Sequence, residues 1–292
     1  MCGLFVGAWR ATAVACILLA ATVPIAIAGA ASYVAVPGGW LRSVLPNDAT
    51  RVQRQPAAGG TAATAASITD ATDRTLSPVA AFAVRVTPVS NEEFLRFVHT
   101  NPQWRRDRVP PLFAERSYLA HWSAPDALGE SALPEQPVTA VSWFAAQAFC
   151  ESENARLPTW LEWEYLAAAD ATRRDARDDP AWRARILAWY GQPSTSALPA
   201  VGGAANLYGV RDLDDLVWEW VDDFNALMIS ADSRDQGDPD VLRFCGSAAL
   251  ALADRDNYAV LMRIALLSSL KAADTTGNLG FRCARATSGD SQ

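Results

Sequence analysis

Lysine is almost missing from this 292-residue chain: Lys271 stands alone, and every other basic side chain is an arginine. That bias speaks of genome composition rather than of chemistry. Histidine is equally scarce, with only His99 and His121. A lone histidine is more often a hydrogen-bonded packing residue than a ligand. No Ser/His/Asp order, paired general acid and base, phosphate-binding loop or zinc spacing stands out from the background. Positive charge is also short, the net charge being -7. Counterion release on a nucleic acid or an anionic membrane needs clustered Lys and Arg, so neither surface is an expected partner. What the chain does have is apolar mass. Half its residues are hydrophobic and 11 are Trp, enough for a large core in one or two domains.

Residues 1–30 carry a single charge, Arg10, followed by an apolar run with Ala26-Ile27-Ala28 and Ala28-Gly29-Ala30 at its exit. This is the pattern of a secretory signal with cleavage after Ala28 or Ala30. An uncleaved anchor is the alternative, since about 20 apolar residues can span a bilayer. Either way the remainder is expected to work outside the cytoplasm, in the periplasm or secreted, or anchored to the inner membrane and facing the periplasm. Five cysteines in an exported chain are read as bridges first. Cys2 and Cys16 leave with the signal, so Cys150, Cys245 and Cys283 remain and one thiol is left over.

Beyond the signal, Tyr33 to Val44 alternates around Pro37-Gly38-Gly39 and reads as a hairpin. Residues 55–78, rich in Ala, Thr, Gly and Ser, are too bland to bury and read as a mobile loop. Ser90 caps a helix with Glu92 and Glu93 in its first turn. Trp104 to Trp122 is broken by prolines into an irregular loop packed by its aromatics, and Trp104, Arg105, Tyr118, His121 and Trp122 are its candidate binding residues. A structural lid is the equal alternative. Helices follow from Ser142 or Trp143 and from Thr159, whose Glu162 completes a capping box. Residues 170–186 alternate Arg and Asp and read as a solvated helix face. Tyr258 to Leu270 has helical spacing, with strand as the alternative.

The stretch Arg211 to Asn225 draws the eye. Asp212, Asp214, Asp215 and Glu219 crowd around Leu216-Val217-Trp218, and Trp218 and Trp220 alternate as in a half-buried strand. Closely packed carboxylates repel unless a cation lies between them, and oxygen ligands suit calcium. The plain alternative is a solvated acidic turn before a core strand.

Asn206 to Trp220 resembles the N-x-(F/Y)-G-L-x-D-M-x-G-x-V-W-E-W signature of the formylglycine-generating enzyme family, also called the sulfatase-modifying factor family. Three more matches fall in the family's order. Thr87 to Phe94 resembles its E-V-T-N-x-x-F entry. Pro137 to Trp143, with Cys150, Arg156-Leu157-Pro158-Thr159 and Glu162 to Tyr165, resembles its central block. Gly277 to Cys283 resembles N-x-G-F-R-C. The resemblance implies one α+β domain of C-type-lectin-like topology over residues 31–285, with a disordered tail at 286–292. It implies a disulfide between Cys150 and Cys283, which could contribute about 5 kcal/mol in the chain-entropy model. It also implies a structural calcium site made of the Asp212 and Glu219 side chains and the Asp215 and Val217 carbonyls.

Family enzymes oxidise a substrate cysteine with a copper ion held by two cysteines that follow a G-G-S-(W/F/Y) strand, because Cu(I) needs soft thiolates. Here the matching strand is Cys245-Gly246-Ser247, and both downstream positions fall in the cysteine-free stretch Leu250 to Tyr258. Copper chemistry of that kind is therefore not expected, and Cys245 reads as a small buried thiol. A second branch uses three histidines around iron, which His99 and His121 cannot supply. Phe244-Cys245-Gly246-Ser247, with Trp104 to Pro110 and Val217 to Asn225, also resembles an exported proteobacterial subgroup without the catalytic thiols, associated with copper nitrite reductase. The expectation is a non-enzymatic accessory or maturation factor for a peptide or protein partner, such as a secreted metalloenzyme. The competing expectation is an oxidase with other ligands, centred on Cys245 or His121.

Overall fold

The computed structural model describes residues 32–43, 68–69, 75–192, 197–227 and 258–287. The expected secretory segment at 1–30, Cys245, most of the expected loop at 55–78 and the end of the expected tail lie outside the described residues.

Two strands near the beginning, β1 (Tyr33–Val36) and β2 (Gly39–Arg42), are followed by β3 (Ile68–Thr69), β4 (Thr75–Val79) and β5 (Phe82–Arg85). The hairpin expected between β1 and β2 is not formed. β1 pairs antiparallel with β5 and β2 pairs antiparallel with β4, and the register runs on from Val36↔Phe82 to Gly39↔Val79. Residues 33–42 thus lie along 76–85, interrupted where Pro37-Gly38 crosses Ala80-Ala81. A Cβ on Gly38 would meet the Val79 carbonyl oxygen at 2.8 Å and the Ala81 nitrogen at 3.0 Å, so the crossing needs glycine. Pro-Gly marks a break in one long ladder rather than a turn, and Pro37 has no N–H to contribute to it. The same pairing corrects the reading of 55–78 as loop throughout. Ile68–Thr69 pairs with β4, and β4 is held by β2 through backbone bonds that do not depend on side-chain mass.

Helix α1 (Asn91–Thr100) starts as its sequence directs: Glu93 N–H donates to Ser90 Oγ at 3.3 Å while Ser90 N–H donates to Glu93 Oε2 at 2.9 Å. A 3-10 turn, Pro102–Trp104, and a run of turns lead to α2 (Trp143–Ser152), capped by Ser142, and α3 (Trp160–Ala167), capped by Thr159 with Glu162. α4 (Pro180–Tyr190) begins later than the charge pattern suggests. Residues 170–179 instead form turns tied by Arg173 to Asp170 and Asp179, and α4 buries Trp182 and Ile186. α5 (Tyr258–Ser269) takes the helical alternative. The short β6 (Trp218–Glu219) and β7 (Leu279–Gly280) pair in parallel, and β8 (Ala284–Ala286) adds to β5, giving a sheet ordered β1-β5-β8.

The core joins α1, α2 and the C-terminal segment through aromatic rings. Phe94 stacks on Phe149 at 5.8 Å, and both meet Phe281 edge-on, at 6.0 and 5.4 Å. Each fully buried phenyl contributes about 1.5–3 kcal/mol of transfer free energy. Beside this cluster Cys150 of α2 is bonded to Cys283, the sulfurs 2.01 Å apart. The mixed helix and sheet content, with long irregular connections, is the α+β architecture that the resemblance implies.

Candidate functional site

The acidic stretch folds around two buried arginines, neither of which its own sequence contains. Arg282, wholly enclosed, donates from Nε to Glu219 Oε2 and from Nη2 to Glu219 Oε1, both at 2.7 Å. Its remaining donors reach the carbonyls of Arg211 at 2.8 Å, Val86 at 3.2 Å and Asp212 at 3.3 Å. Trp163 Nε1 donates to Glu219 Oε2 at 2.8 Å. The Asp212 carboxylate is held elsewhere: Gly202 N–H donates to Oδ2 and Gly203 N–H to Oδ1, each at 2.7 Å. A Cβ on Gly203 would lie 2.6 Å from Asp212 Oδ1, so this contact requires glycine. Asp212 itself adopts a left-handed backbone, φ 61°.

The calcium set can now be judged on its donors. A bidentate guanidinium already neutralises Glu219, and each Asp212 oxygen accepts a backbone N–H. Among the described residues no group of three or more His, Cys, Asp or Glu side chains is arranged to hold a metal ion. The expected calcium set, the Asp212 and Glu219 side chains with the Asp215 and Val217 carbonyls, thus has both of its carboxylates engaged by protein donors, and Arg282 neutralises Glu219.

The second centre is Arg263 of α5. It forks onto Glu164 of α3 at 2.7 and 2.8 Å, reaches Asp214 Oδ1 at 3.0 Å and the Tyr190 hydroxyl at 2.9 Å, and lies 4.9 Å over the Trp163 ring. Two buried carboxylates thus share one guanidinium. Burial pushes the Asp214 carboxyl up to about 7, with Arg263 pulling it down and Glu164 pushing it further up. Asp215 is raised too, by burial and then by Asp212. Beside Asp214 is a cavity walled by Trp160, Trp163, Trp189, Trp218 and Leu267, with room for about one water-sized group.

The loop residues chosen as binding candidates do not form an open set. Tyr118 and Trp122 are core residues with their polar atoms already paired, Tyr118 Oη to the Trp104 carbonyl at 2.9 Å and Trp122 Nε1 to Asn91 Oδ1 at 3.2 Å. Arg105 is tied to Asp107 at 3.1 Å and to Asp126 at 2.9 Å. His121 is half-buried, and burial and then the neighbouring Arg106 hold its imidazole below the ordinary histidine range. His99 lies on α1 with Nε2 3.0 Å from the Asp126 carbonyl oxygen. Trp104, half-buried, packs edge-on against Phe113 at 6.2 Å, and the exposed tip of the loop is Leu112-Phe113.

Sequence reasoning missed Arg282, Arg263, Glu164 and the Gly202-Gly203 pair. Arg282 and Glu164 sat inside the recognised motifs, where only neighbouring residues were given roles. Arg263 carried no local signal beyond being one charge in an apolar helix, which is the usual mark of a buried ion pair.

A disulfide-clasped α+β domain whose recurring motifs converge on one arginine–glutamate pair defines the class. The chain belongs to the sulfatase-modifying factor enzyme 1-like domain family, whose model matches residues 32–287. Among its relatives is the formylglycine-generating enzyme of Streptomyces coelicolor, 33% identical over 187 residues that cover 56% of this chain and 58% of that protein. The chain thus spans little more than half the length of that relative. The inactive C-alpha-formylglycine-generating enzyme 2 of Mus musculus is 26% identical over 244 residues, covering 70% of this chain and 74% of that protein. The solved structure of PvdO from Pseudomonas aeruginosa aligns over 87% of this chain and 94% of its own at 17% identity, with a TM-score of 0.41.

Proposed function

We propose that this protein is an exported, non-enzymatic accessory or maturation factor that binds a peptide or protein partner, one belonging to a copper-containing or nitrite-reducing respiratory system. The observation that carries this reading is the distribution of thiols. Two of the three cysteines beyond the secretory segment, Cys150 and Cys283, are bonded to each other, and no cysteine lies between Cys245 and Cys283. One remaining thiol cannot form the paired-thiolate Cu(I) site on which cysteine oxidation by the family rests. The likeness to a relative named as inactive supports the same reading.

The test offers the purified protein, loaded with copper under air, a peptide containing the sulfatase cysteine motif. Unchanged peptide mass supports the accessory role, and conversion of the cysteine to an aldehyde refutes it. Affinity capture from extract of the native compartment is then expected to retain a copper or respiratory protein. An oxidase centred on Cys245 or His121 predicts instead stoichiometric copper or iron in the natively purified protein, lost in Cys245→Ser.

A further inference from the structure

We propose that the face formed by Leu112, Phe113 and Phe144, flanked by Arg108 and Arg116, docks an acidic polypeptide segment that carries an aromatic or aliphatic side chain. The inference rests on the accessory reading, whose partner it describes chemically, and it fails by a different sign.

Apolar exposure is the first support. Leu112 is 74% exposed and Phe113 36%, at the tip of a loop, and Phe144 beside them on α2 is half-buried. Solvent-facing apolar groups gathered in one place mark contact surfaces. The face is also preformed. Phe113 meets Trp104 edge-on at 6.2 Å and Phe144 at 5.2 Å, and Phe144 meets Trp143 at 5.6 Å. The loop is anchored on both sides of its tip. Arg106 Nη1 donates to the Leu119 and Trp122 carbonyls at 2.9 and 3.0 Å, and Glu115 N–H donates to the Ala273 carbonyl at 3.0 Å. A surface already ordered loses little conformational entropy on binding. Only Leu112 projects far from this row of pinned rings, which suits fitted contact with side chains better than insertion into lipid.

Charge is the second support and gives the sign of the partner. Residues 104–116 hold four arginines against Asp107 and Glu115, a local charge of +2 on a chain whose total is -7. The acids nearby are engaged. Asp107 and Asp126 hold Arg105, and Glu115 Oε1 accepts from Thr275 N–H at 2.6 Å, Thr275 Oγ1 at 3.0 Å and Ser117 Oγ at 2.9 Å. Arg108 and Arg116 are exposed, and among the described residues neither side chain makes an ion pair or a hydrogen bond; Arg108 acts on Asp107 only at a distance. Open arginines beside aromatic rings are what interfaces favour, and their complement is a carboxylate.

A random peptide library displayed on phage, panned against the purified full chain, tests this. Enriched peptides are expected to carry Asp or Glu beside Phe, Leu or Trp. The leading peptide, synthesised with a fluorescein label and followed by anisotropy, is expected to bind the wild type and to bind more weakly as salt is added. Its affinity is expected to fall at least about tenfold in Leu112→Ser, and again in Arg108→Glu combined with Arg116→Glu. All three positions are exposed, so these variants keep the core intact. No enrichment, enrichment without acidic residues, or equal binding by both variants would overturn the proposal. Binding of the wild type to phosphatidylglycerol vesicles with no peptide selected would give the face to lipid instead. A dimer in sedimentation that Leu112→Ser dissolves would give it to a second copy. Formation of the aldehyde is what sinks the accessory reading, whereas a peptide bound elsewhere on the chain leaves that reading standing and removes this one.

Discussion

Arg282 and Glu219 face each other fork to fork, with both nitrogen–oxygen distances at 2.7 Å and neither side chain open to solvent. The pair lies 63 residues apart in sequence and ties the acidic stretch to the last strands of the domain.

Breaking that pair is expected to cost far more than removing it. Arg282→Met leaves Glu219 charged and buried, which destabilises by about 3–5 kcal/mol. The double change Arg282→Met with Glu219→Gln is expected to cost clearly less than the two single changes summed. Urea unfolding of the four proteins closes the cycle.

Arg282 already neutralises Glu219, so chelation is expected to leave thermal stability unchanged. An ion present at a hundredfold excess over its dissociation constant would stabilise by about 2.7 kcal/mol, a shift of several degrees that calorimetry would register on adding EDTA. A fall in the melting temperature reversed by calcium would reinstate the ion.

Asp214 gives the pH dependence its sign. Its carboxyl titrates near 7 in the folded protein against an ordinary 3.8, so the folded state holds the proton more tightly. The corresponding stability is complete below the ordinary value and is lost as pH rises through about 7. Asp214→Asn, permanently neutral, is therefore expected to be more stable than wild type at pH 8.5, on the order of 2 kcal/mol, with the advantage gone at pH 4. Chemical denaturation at the two pH values measures it. An advantage that grows toward low pH would contradict the sign.

The bond between Cys150 and Cys283 closes 133 residues of chain. Reduction is expected to cost about 5 kcal/mol in the chain-entropy model. Alkylation of the unfolded protein is expected to add two more alkyl groups after reduction than before it, read by intact mass.

Gly203→Ala places a methyl group 2.6 Å from Asp212 Oδ1. Displacing that carboxylate strips it of two backbone donors, and a loss of about 1–3 kcal/mol is expected in the same denaturation assay.

How much of this was legible depended on how far apart the interacting groups lie. Ser90 with Glu93 and Thr159 with Glu162 were readable as helix starts because a capping box is complete within four residues. Tyr33 to Arg42 was misread because its partner strand begins more than thirty residues later, beyond a long connection whose composition gives no hint of pairing. Tyr118 and Trp122 read as binding residues because a buried aromatic loop and an open one look alike in sequence; only Trp104 and Asn91 show that their polar atoms are spoken for. The carboxylates of the acidic stretch were visible, but their countercharges were not. Arg282 reaches Glu219 across 63 residues and Arg263 reaches Asp214 across 49, separations at which the sequence carries no sign of pairing.

β1 and β8 lie on opposite sides of the same strand, and the Arg285 guanidinium rests 3.7 Å over the Tyr33 ring. The start of β1 and the end of β8 are thus two strand spacings apart across the sheet and three residues apart along it, about 14 Å in all. A short glycine linker can bridge them, and new ends opened between Arg42 and Thr75 would give a circular permutant with the same ladder. In such a chain the two long ladder partners become the termini, so the protein can be displayed or split for complementation without cutting either arginine centre.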